Sequence, residues 1–514
     1  MRHMSEKCLP SIARKENDVK MDYTKLLNQV SKWVDQGEYL KVLETLLDIP
    51  REDYNTQLVG ILARTYNSLG EYEKAIPLLL SIEDESRDDT NWFYRLGNSY
   101  YYTGRTEEAE ECFIHAAELD PDDIDTQEFI YRCRPCFTAR VELFWQWFEK
   151  NENTLSAICE HRGTRDHDRD VDFVETGLSI LGPDILFNMG GSHEFTFSVH
   201  GEDYLFYLTP YIVDRMPAGL RSKWHVNPYN RPNPSDSFTF HMYGQQVPFK
   251  DVRVAVRYDV ETNAAALTFF HPTLCHIDEN DALNAFSTML DVSVGEAFTH
   301  YYVGELHRAD KEEEGMMPLT EVRDYLRRQI ESQGRQVEES PDGHYGVYHL
   351  KPATGGEFYN ARFDVVDGTT NYMALVHDYY YAEMYRNVKL MAFGAKAAYL
   401  GLVCDSGEKR QQMLELRYEL EDRIAKEIFL RGDGHPGNGR VLGGATGLEC
   451  MYIDLLLFDE KDFIRRMREM AVDYPVNMYL SDFRLGAWYT LIRAYDDNAV
   501  SHKYLSRCIQ RDDI

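Results

Sequence analysis

Several stretches of this chain carry residue types that could do chemistry. Cys133-Arg-Pro-Cys136 has the spacing of a redox dithiol or of half a zinc site. Redox use needs a strand before the motif, and zinc needs a second pair or histidines at matching spacing. Neither is evident, so both cysteines read as ordinary thiols. The stretch His161 to Asp172 gathers His161, Asp166, His167, Asp168, Asp170 and Asp172, donors that suit a divalent cation. Arg162, Arg165 and Arg169 interleave and would pair with those carboxylates, and the spacing matches no calcium loop, so a solvated linker is expected. His193-Glu194 with His200 is not a zinc-protease helix, because the second histidine is seven residues away and the run alternates like a strand. Gly432 to Gly447 is the densest glycine region, with Asp433, His435, Asn438 and Arg440. Its amides could cradle a phosphate, but it lacks the Lys-Ser/Thr of a P-loop and the ordered glycines of a dinucleotide site. A flexible hairpin or connection is the expectation there. His435 beside Asp433 is the first choice if the chain is a hydrolase. His377, Asp378, Tyr379 to Tyr381 and Tyr385 read as strand-end packing with hydroxyls toward solvent. With no nucleophile elbow, zinc signature, P-loop or dinucleotide fingerprint, the expectation is a protein that is not an enzyme, with no catalytic residue, metal or cofactor.

The elements that position these residues begin with Thr90 to Pro121. Counting Thr90 as position 1, Leu96, Gly97 and Tyr100 fall at 7, 8 and 11, and Ala109, Phe113, Ala116 and Pro121 at 20, 24, 27 and 32. Gly97 and Ala109 let two antiparallel helices approach, Tyr100 and Phe113 fill the space between them, and Pro121 stops the second helix. A unit starting at Thr56 repeats the spacing with Leu62, Tyr66, Gly70 and Ala75, and Gly104 occupies the place of Gly70. A degenerate unit near Tyr23 to Asn55 has Trp33, Gly37, Val42 and Leu46 in the corresponding places. Asp125 to Lys150 reads as helix broken near Pro135, and its cluster Phe144, Trp145, Trp147 and Phe148 is expected to cap the stack or weld it to the next domain.

This array resembles the tetratricopeptide repeats of bacterial proteins. The resemblance implies a concave groove, lined by the first helix of each repeat, that holds an extended peptide or helix of a partner. Carried over by position, the groove would show Arg64, Asn67, Asn91, Tyr94, Asn98 and Tyr101, with Arg95 nearby. Some such repeats grip a carboxylate terminus; of those positions only Arg95 matches here, while Leu27, Ser31 and Ile61 occupy others. The plainer reading is an array that braces the neighbouring domain.

At 514 residues the chain is expected to divide into about three domains. We read residues 1–21 as a loosely ordered tail, 22–150 as the repeat domain with capping helices, and 151–334 and 335–514 as two α+β modules. The fold class is therefore multidomain, all-α repeats followed by mostly antiparallel sheets. In the middle module Glu194 to Val199, Tyr204 to Tyr207, Trp224 to Asn227, Ser237 to Met242, Val252 to Tyr258 and Ala264 to Phe270 read as strands. Leu208 to Leu220, Ala282 to Leu290 and Leu319 to Ser332 read as helices. In the last module strands are expected at Tyr345 to Leu350, Ala361 to Val366, Asn371 to His377, Gly443 to Leu457 and Val476 to Leu480. Helices are expected at Glu408 to Leu430 and Glu460 to Met470, which suggests a ferredoxin-like sandwich.

Two further resemblances rest on short phrases. Phe144 to Glu149, the Trp224 strand, Leu290-Asp291 and Val294-Gly295-Glu296 look like a bacterial module of unknown function that accompanies such repeats. Gly444 to Asp454, Asp459 to Phe463, Tyr474 to Val476 and Asp482 to Trp488 are similar to a family of unknown function and to the ribonuclease E inhibitor B family, whose members bind an enzyme.

Fifty-five basic residues against 86 acidic ones leave a net charge of −31. Such a surface repels phosphate backbones and anionic lipid, so direct nucleic-acid or membrane binding is not expected, and a basic protein or peptide partner is. No run of about 18 apolar residues and no apolar signal region are present, and nine scattered cysteines suit reduced thiols, so the expected compartment is the cytoplasm. The functional expectation is an adaptor or inhibitor, immunity-like or nuclease-regulator-like. A hydrolase near Gly432 to Gly447 and a structural subunit of a homo-oligomer are the alternatives.

Overall fold

The computed structural model describes residues 24–160, 166–353, 361–404, 410–430, 437–487, 489–495 and 508–509. The chain forms two compact units that divide between Arg134 and Pro135.

The first unit is a stack of antiparallel helices, α1 (Thr24–Asp35), α2 (Tyr39–Leu47), α3 (Thr56–Ser68), α4 (Tyr72–Leu80), α5 (Thr90–Tyr102), α6 (Thr106–Leu119) and α7 (Ile124–Cys133). Asn55, Asp89 and Asp123 cap α3, α5 and α7 with side-chain oxygens that accept backbone N–H groups. The helices α1, α3 and α5 end alike, on Gly37, Gly70 and Gly104 with φ of 71°, 75° and 79°. After each glycine the next N–H reaches back to the helix, as from Glu71 to the Tyr66 carbonyl at 2.8 Å and from Arg105 to the Tyr100 carbonyl at 2.9 Å. The predicted close approach is real: a methyl group on Gly97 would lie 2.9 Å from the Phe113 ring. Phe113, Ala63, Ala75, Ala109 and Ala116 are fully buried, and Phe113 stacks on Phe129 of α7 at 4.7 Å. Pro135, which can donate no N–H, follows α7 and ends the array's helical run.

The second unit opens with α8 (Phe137–Lys150), α9 (Glu152–Glu160) and α10 (His167–Leu178), then β1 (Leu186–Gly190) and β2 (Glu194–Ser198), α11 (Leu205–Asp214), α12 (Ala218–Arg221) and β3 (His225–Asn227). A hairpin, β4 (Thr239–Met242) and β5 (Gln245–Pro248), leads to β6 (Arg253–Asp259), β7 (Ala264–Phe270), α13 (Glu279–Val294), α14 (Glu296–Tyr302), β8 (Val303–Arg308), β9 (Met317–Pro318) and α15 (Val322–Ser332). The strands β8, β7, β6 and β9 form a four-stranded sheet whose own core includes Phe269, Phe286, Leu326 and Ile330.

The remaining elements are β10 (Gly346–His349), β11 (Val365–Thr370), α16 (Met373–Tyr381), α17 (Tyr385–Ala392), β12 (Lys396–Val403), α18 (Arg410–Arg423), β13 (Gly439–Gly447), β14 (Cys450–Leu457), α19 (Glu460–Ala471), β15 (Met478–Asp482), β16 (Tyr489–Arg493) and β17 (Cys508–Ile509). They build an eight-stranded sheet in the order β10-β11-β13-β14-β12-β15-β16-β17. Its centre, β12-α18-β13-β14-α19-β15, pairs antiparallel throughout in the ferredoxin-like order, with β14 and β15 flanking β12. Both faces are buried. Met451, Ile453, Leu455 and Leu457 of β14 pack with residues of α18 and α19, whereas Tyr452 and Leu456 join a core that runs from Phe137 to Tyr489. Phe144, Trp145 and Phe148 of α8 are buried in that second core, and Trp145 Nε1 donates to the Ile212 carbonyl at 2.9 Å.

Two expected strands are helices. Tyr204 to Tyr207 leads into α11, where Leu205, Phe206, Tyr207, Leu208, Tyr211 and Ile212 are all buried. A helix covered on every side shows no apolar stripe, so its short run of apolar residues mimics a strand. Asn371 to His377 leads into α16, where Leu375, Val376 and Tyr379 are buried and Met373, His377 and Tyr381 form an exposed stripe, too short a helical pattern to read over Asn371 to His377. Among the described residues no helix is long and apolar enough to cross a membrane.

Candidate peptide-binding groove

The seven residues singled out for the groove lie on α3 and α5, the first helices of neighbouring repeats, and the structure gives them different tasks. Asn67 holds the repeats together: its Nδ2 donates to the Arg95 carbonyl at 2.9 Å, and its Oδ1 accepts from Ser99 Oγ at 2.7 Å. Tyr94 packs edge-on against Phe113 and Phe129, at 5.8 and 5.7 Å between ring centres. Tyr101 meets Phe129 and Tyr102 in the same way at 5.4 and 5.2 Å. Burial, then the nearby Asp125 and Asp123, push the Tyr94 phenol well above its ordinary pKa. Asn91 and Arg64 are exposed, and Arg95 and Asn98 half-buried.

The two arginines differ from most of the first unit's arginines, although Arg51 likewise forms no ion pair among the described residues. Arg87, Arg105 and Arg134 each meet a carboxylate, of Asp84 at 3.0 Å, Glu108 at 2.7 Å and Glu110 at 2.6 Å, and Arg132 meets Glu128 at 2.5 Å. Arg64 and Arg95 form no ion pair among the described residues. The Arg95 guanidinium lies against α3, where a methyl on Gly60 would be 3.4 Å from its Nη1. Burial, and then Arg64, pull the pKa of Arg95 down, while Asp89 acts on it from beyond ion-pair distance. Gly60 is the residue that sequence reasoning missed. Glycine inside a helix costs about 1 kcal/mol relative to alanine, which is itself a signal that something packs there.

The other constellations resolve into structure. Burial pushes the Cys133 thiol up to about 12 and raises that of Cys136, the reverse of a reactive thiolate. Residues 161–165 of the His161 to Asp172 stretch lie outside the described residues; the rest begins α10, which Asp166 caps by accepting from the Arg169 N–H at 3.3 Å. His193 turns between β1 and β2 against Trp224, and Glu194 accepts from Asn227 Nδ2 at 3.0 Å. Ser192, Glu194 and His225 line one depression of about 410 Å³, but no hydrogen bond joins them. Asp433 and His435 lie outside the described residues, as does Trp488. The expected flexible connection is strand from Gly439 to Gly447, and its glycines serve contact. A methyl on Gly444 would sit 2.8 Å from Arg417 Nη1, and one on Gly447 2.2 Å from Asp364 Oδ2. His377, Asp378 and Glu383 gather as a cation site would. Arg386 already occupies Asp378, however, through Nη1 at 2.6 Å and its backbone N–H at 3.3 Å.

A buried ion pair lies against the eight-stranded sheet, between the turn before β11 and β14. Arg362 is fully buried, forms a two-pronged pair with Asp454, and donates Nη2 to the Tyr348 hydroxyl at 2.8 Å. The rings of Phe483, Tyr452, Tyr399 and Tyr379 surround it at 4.6 to 5.8 Å. Its N–H donates to the Tyr452 hydroxyl, which donates to Asp364 Oδ1 at 2.6 Å. Elsewhere Glu296 accepts from Ser198 Oγ at 2.6 Å and the Asn230 N–H at 2.8 Å. Burial, with Glu296 close by, pushes the Asp291 carboxyl up to about 7.

Comparison with known proteins identifies the array. Residues 91–123 match the tetratricopeptide repeat family. No curated protein matches the chain as a relative. Among solved structures the first tetratricopeptide repeat domain of human RPAP3 is 20% identical, covers 22% of this chain and 90% of its own, and has a TM-score of 0.20. MamA from Desulfovibrio magneticus RS-1 is 14% identical over 31% of this chain and 75% of its own, with a TM-score of 0.21. The molecule is thus a tetratricopeptide-type helical array followed by α+β regions.

Proposed function

We propose that the chain is an adaptor or inhibitor that captures an extended segment of a partner protein along α3 and α5. The observation that carries this reading is the row Arg64, Asn91, Arg95 and Asn98, whose side chains make no hydrogen bond or ion pair among the described residues, beside a platform of Tyr94 and Tyr101. Tetratricopeptide repeats serve protein–protein interaction, and these are side chains with bonding capacity to offer. Asn67, engaged between the repeats, drops to a supporting role. The inhibitor form draws on the net charge of −31, which favours a basic surface on the partner, and on the likeness of the last strands and helices to the ribonuclease E inhibitor B family. A cytoplasmic location goes with this role.

The hydrolase alternative has less behind it. Its first-choice residues, Asp433 and His435, lie outside the described residues; of the others in Gly432 to Gly447, Asn438 Nδ2 is engaged with Asp462 at 2.9 Å and Arg440 is paired with Asp342.

Site-specific photo-crosslinking tests the groove. A photoreactive residue at Asn98 should trap one defined partner in cells, and one at Glu118 on α6 should not. Identical adducts from both positions would sink the reading.

A further inference from the structure

In the first unit the arginines that carry a carboxylate partner include Arg87, Arg105, Arg132 and Arg134, whereas Arg64 and Arg95 have none among the described residues. In a chain with 86 acidic residues and 55 basic ones, acids are available in excess. The Arg95 guanidinium lies against α3 at Gly60, the Arg64 charge on the same helix acts against it, and the half-buried Arg95 gives up hydration as well. That cost is offset once a carboxylate arrives from outside, because a charge-assisted pair in a partly desolvated site is stronger than one in open water.

The arrangement on α5 says what form the carboxylate takes. Asn91, Arg95 and Asn98 are spaced i, i+4 and i+7, so they lie on one face of the helix. They span about 10 Å, the length of about three extended residues. Each asparagine amide can both donate to and accept from a passing backbone, on either side of Arg95. A chain held at both ends continues past the arginine, so the carboxylate belongs to a side chain within the segment and not to a terminus.

We propose that the groove recognises an internal acidic stretch of its partner, an extended segment whose Asp or Glu side chains pair with Arg64 and Arg95. The overall charge of −31 points to a basic partner surface; the groove selects the opposite sign locally. The proposal rests on the groove being the docking site, and its test separates the two. A displayed library of random dodecapeptides is selected on the immobilised full chain and on the variants Arg64→Glu and Asn98→Arg, each checked for unchanged helical circular dichroism. The expected result is enrichment of Asp and Glu by about threefold or more over the input, with binding of the selected peptides weakened about tenfold or more by Arg64→Glu. Their binding should also weaken as salt rises. Neutral or basic peptides whose binding is lost in Asn98→Arg would overturn the acidic assignment and leave the groove standing. Peptides indifferent to both substitutions, or no enrichment, would overturn both.

Discussion

Arg95 and Arg362 are the same side chain under opposite arrangements. Arg362, in the second unit, is wholly removed from water and has Asp454, Tyr348 and a ring of aromatic faces around it. Arg95, in the repeat array, is half-buried, feels the charges of Arg64 and Asp89, and forms no ion pair among the described residues. Other charges of the second unit follow Arg362: buried Lys396 meets Asp482 at 2.8 Å and Glu460 at 3.2 Å, and Arg386 bridges Asp203 and Asp378. The difference separates charge paired within the fold from charge that the proposed groove would offer to a partner. A paired buried ion is expensive to disturb, whereas an unpaired half-buried one can be removed at little cost to stability.

The largest effect expected from this comparison follows removal of one half of the pair. Asp454→Ala strands Arg362 in the core and should cost about 3 to 5 kcal/mol, read as a lowered denaturation midpoint. Replacing both partners together, Arg362→Met with Asp454→Leu, should cost less than Asp454→Ala alone. A double variant as unstable as the sum of the singles would show that the two charges are not coupled.

Asp291 represents a third solution, in which a half-buried carboxyl with no ion pair among the described residues keeps its proton below about pH 7. Its pKa is raised from 3.8 to about 7. Between those values the folded chain holds a proton that the unfolded chain releases, so this group makes stability fall as pH rises from about 4 to about 7 and leaves it flat above. The full shift of about 3 pH units corresponds to about 4 kcal/mol, and partial exposure reduces that to about 2 to 4. In Asp291→Asn this slope should vanish, so the variant gains on the native chain with rising pH. Parallel pH profiles of the two melting temperatures would refute it. Asn67 comes next in size: Asn67→Ala should cost about 1 to 2 kcal/mol through the lost links to Arg95 and Ser99, as expected of a residue that joins two repeats.

How much of this was legible in the chain depended on whether the signal was periodic. Gly70 and Gly104, Ala75 and Ala109 recur at the repeat's own interval, and each marks a place where only a small or left-handed residue fits, so the array could be read directly. The alternation of the second unit's strands gave most of them, and the order of strands and helices around Glu408 to Leu480 gave the ferredoxin-like centre. Leu205 to Ile212, buried almost all round, carried no period and was read as part strand, and α16, a short helix with one exposed stripe, was read as strand as far as His377. The charges were harder still, because a sequence does not say which arginine finds an acid. One clue was available: Asp454 is the lone charge in an apolar run from Cys450 to Phe458, and such a residue is buried with a partner more often than not. Gly60 was the matching clue for Arg95.

The smallest expected stability change is the most informative. Arg64→Ala removes a charge that repels Arg95 and satisfies nothing, so its effect on stability should stay within about 0.5 kcal/mol and lean toward stabilisation. If Arg64 instead held the array together, through a contact comparable to that of Arg132 with Glu128, the same substitution would cost about 1 kcal/mol or more. A denaturation curve of the full chain separates these outcomes before any partner is known. Neutral stability combined with lost peptide binding would place Arg64 among groups kept for recognition. Lost stability would move it to the side of Arg362, and the contrast between the two regions would no longer hold.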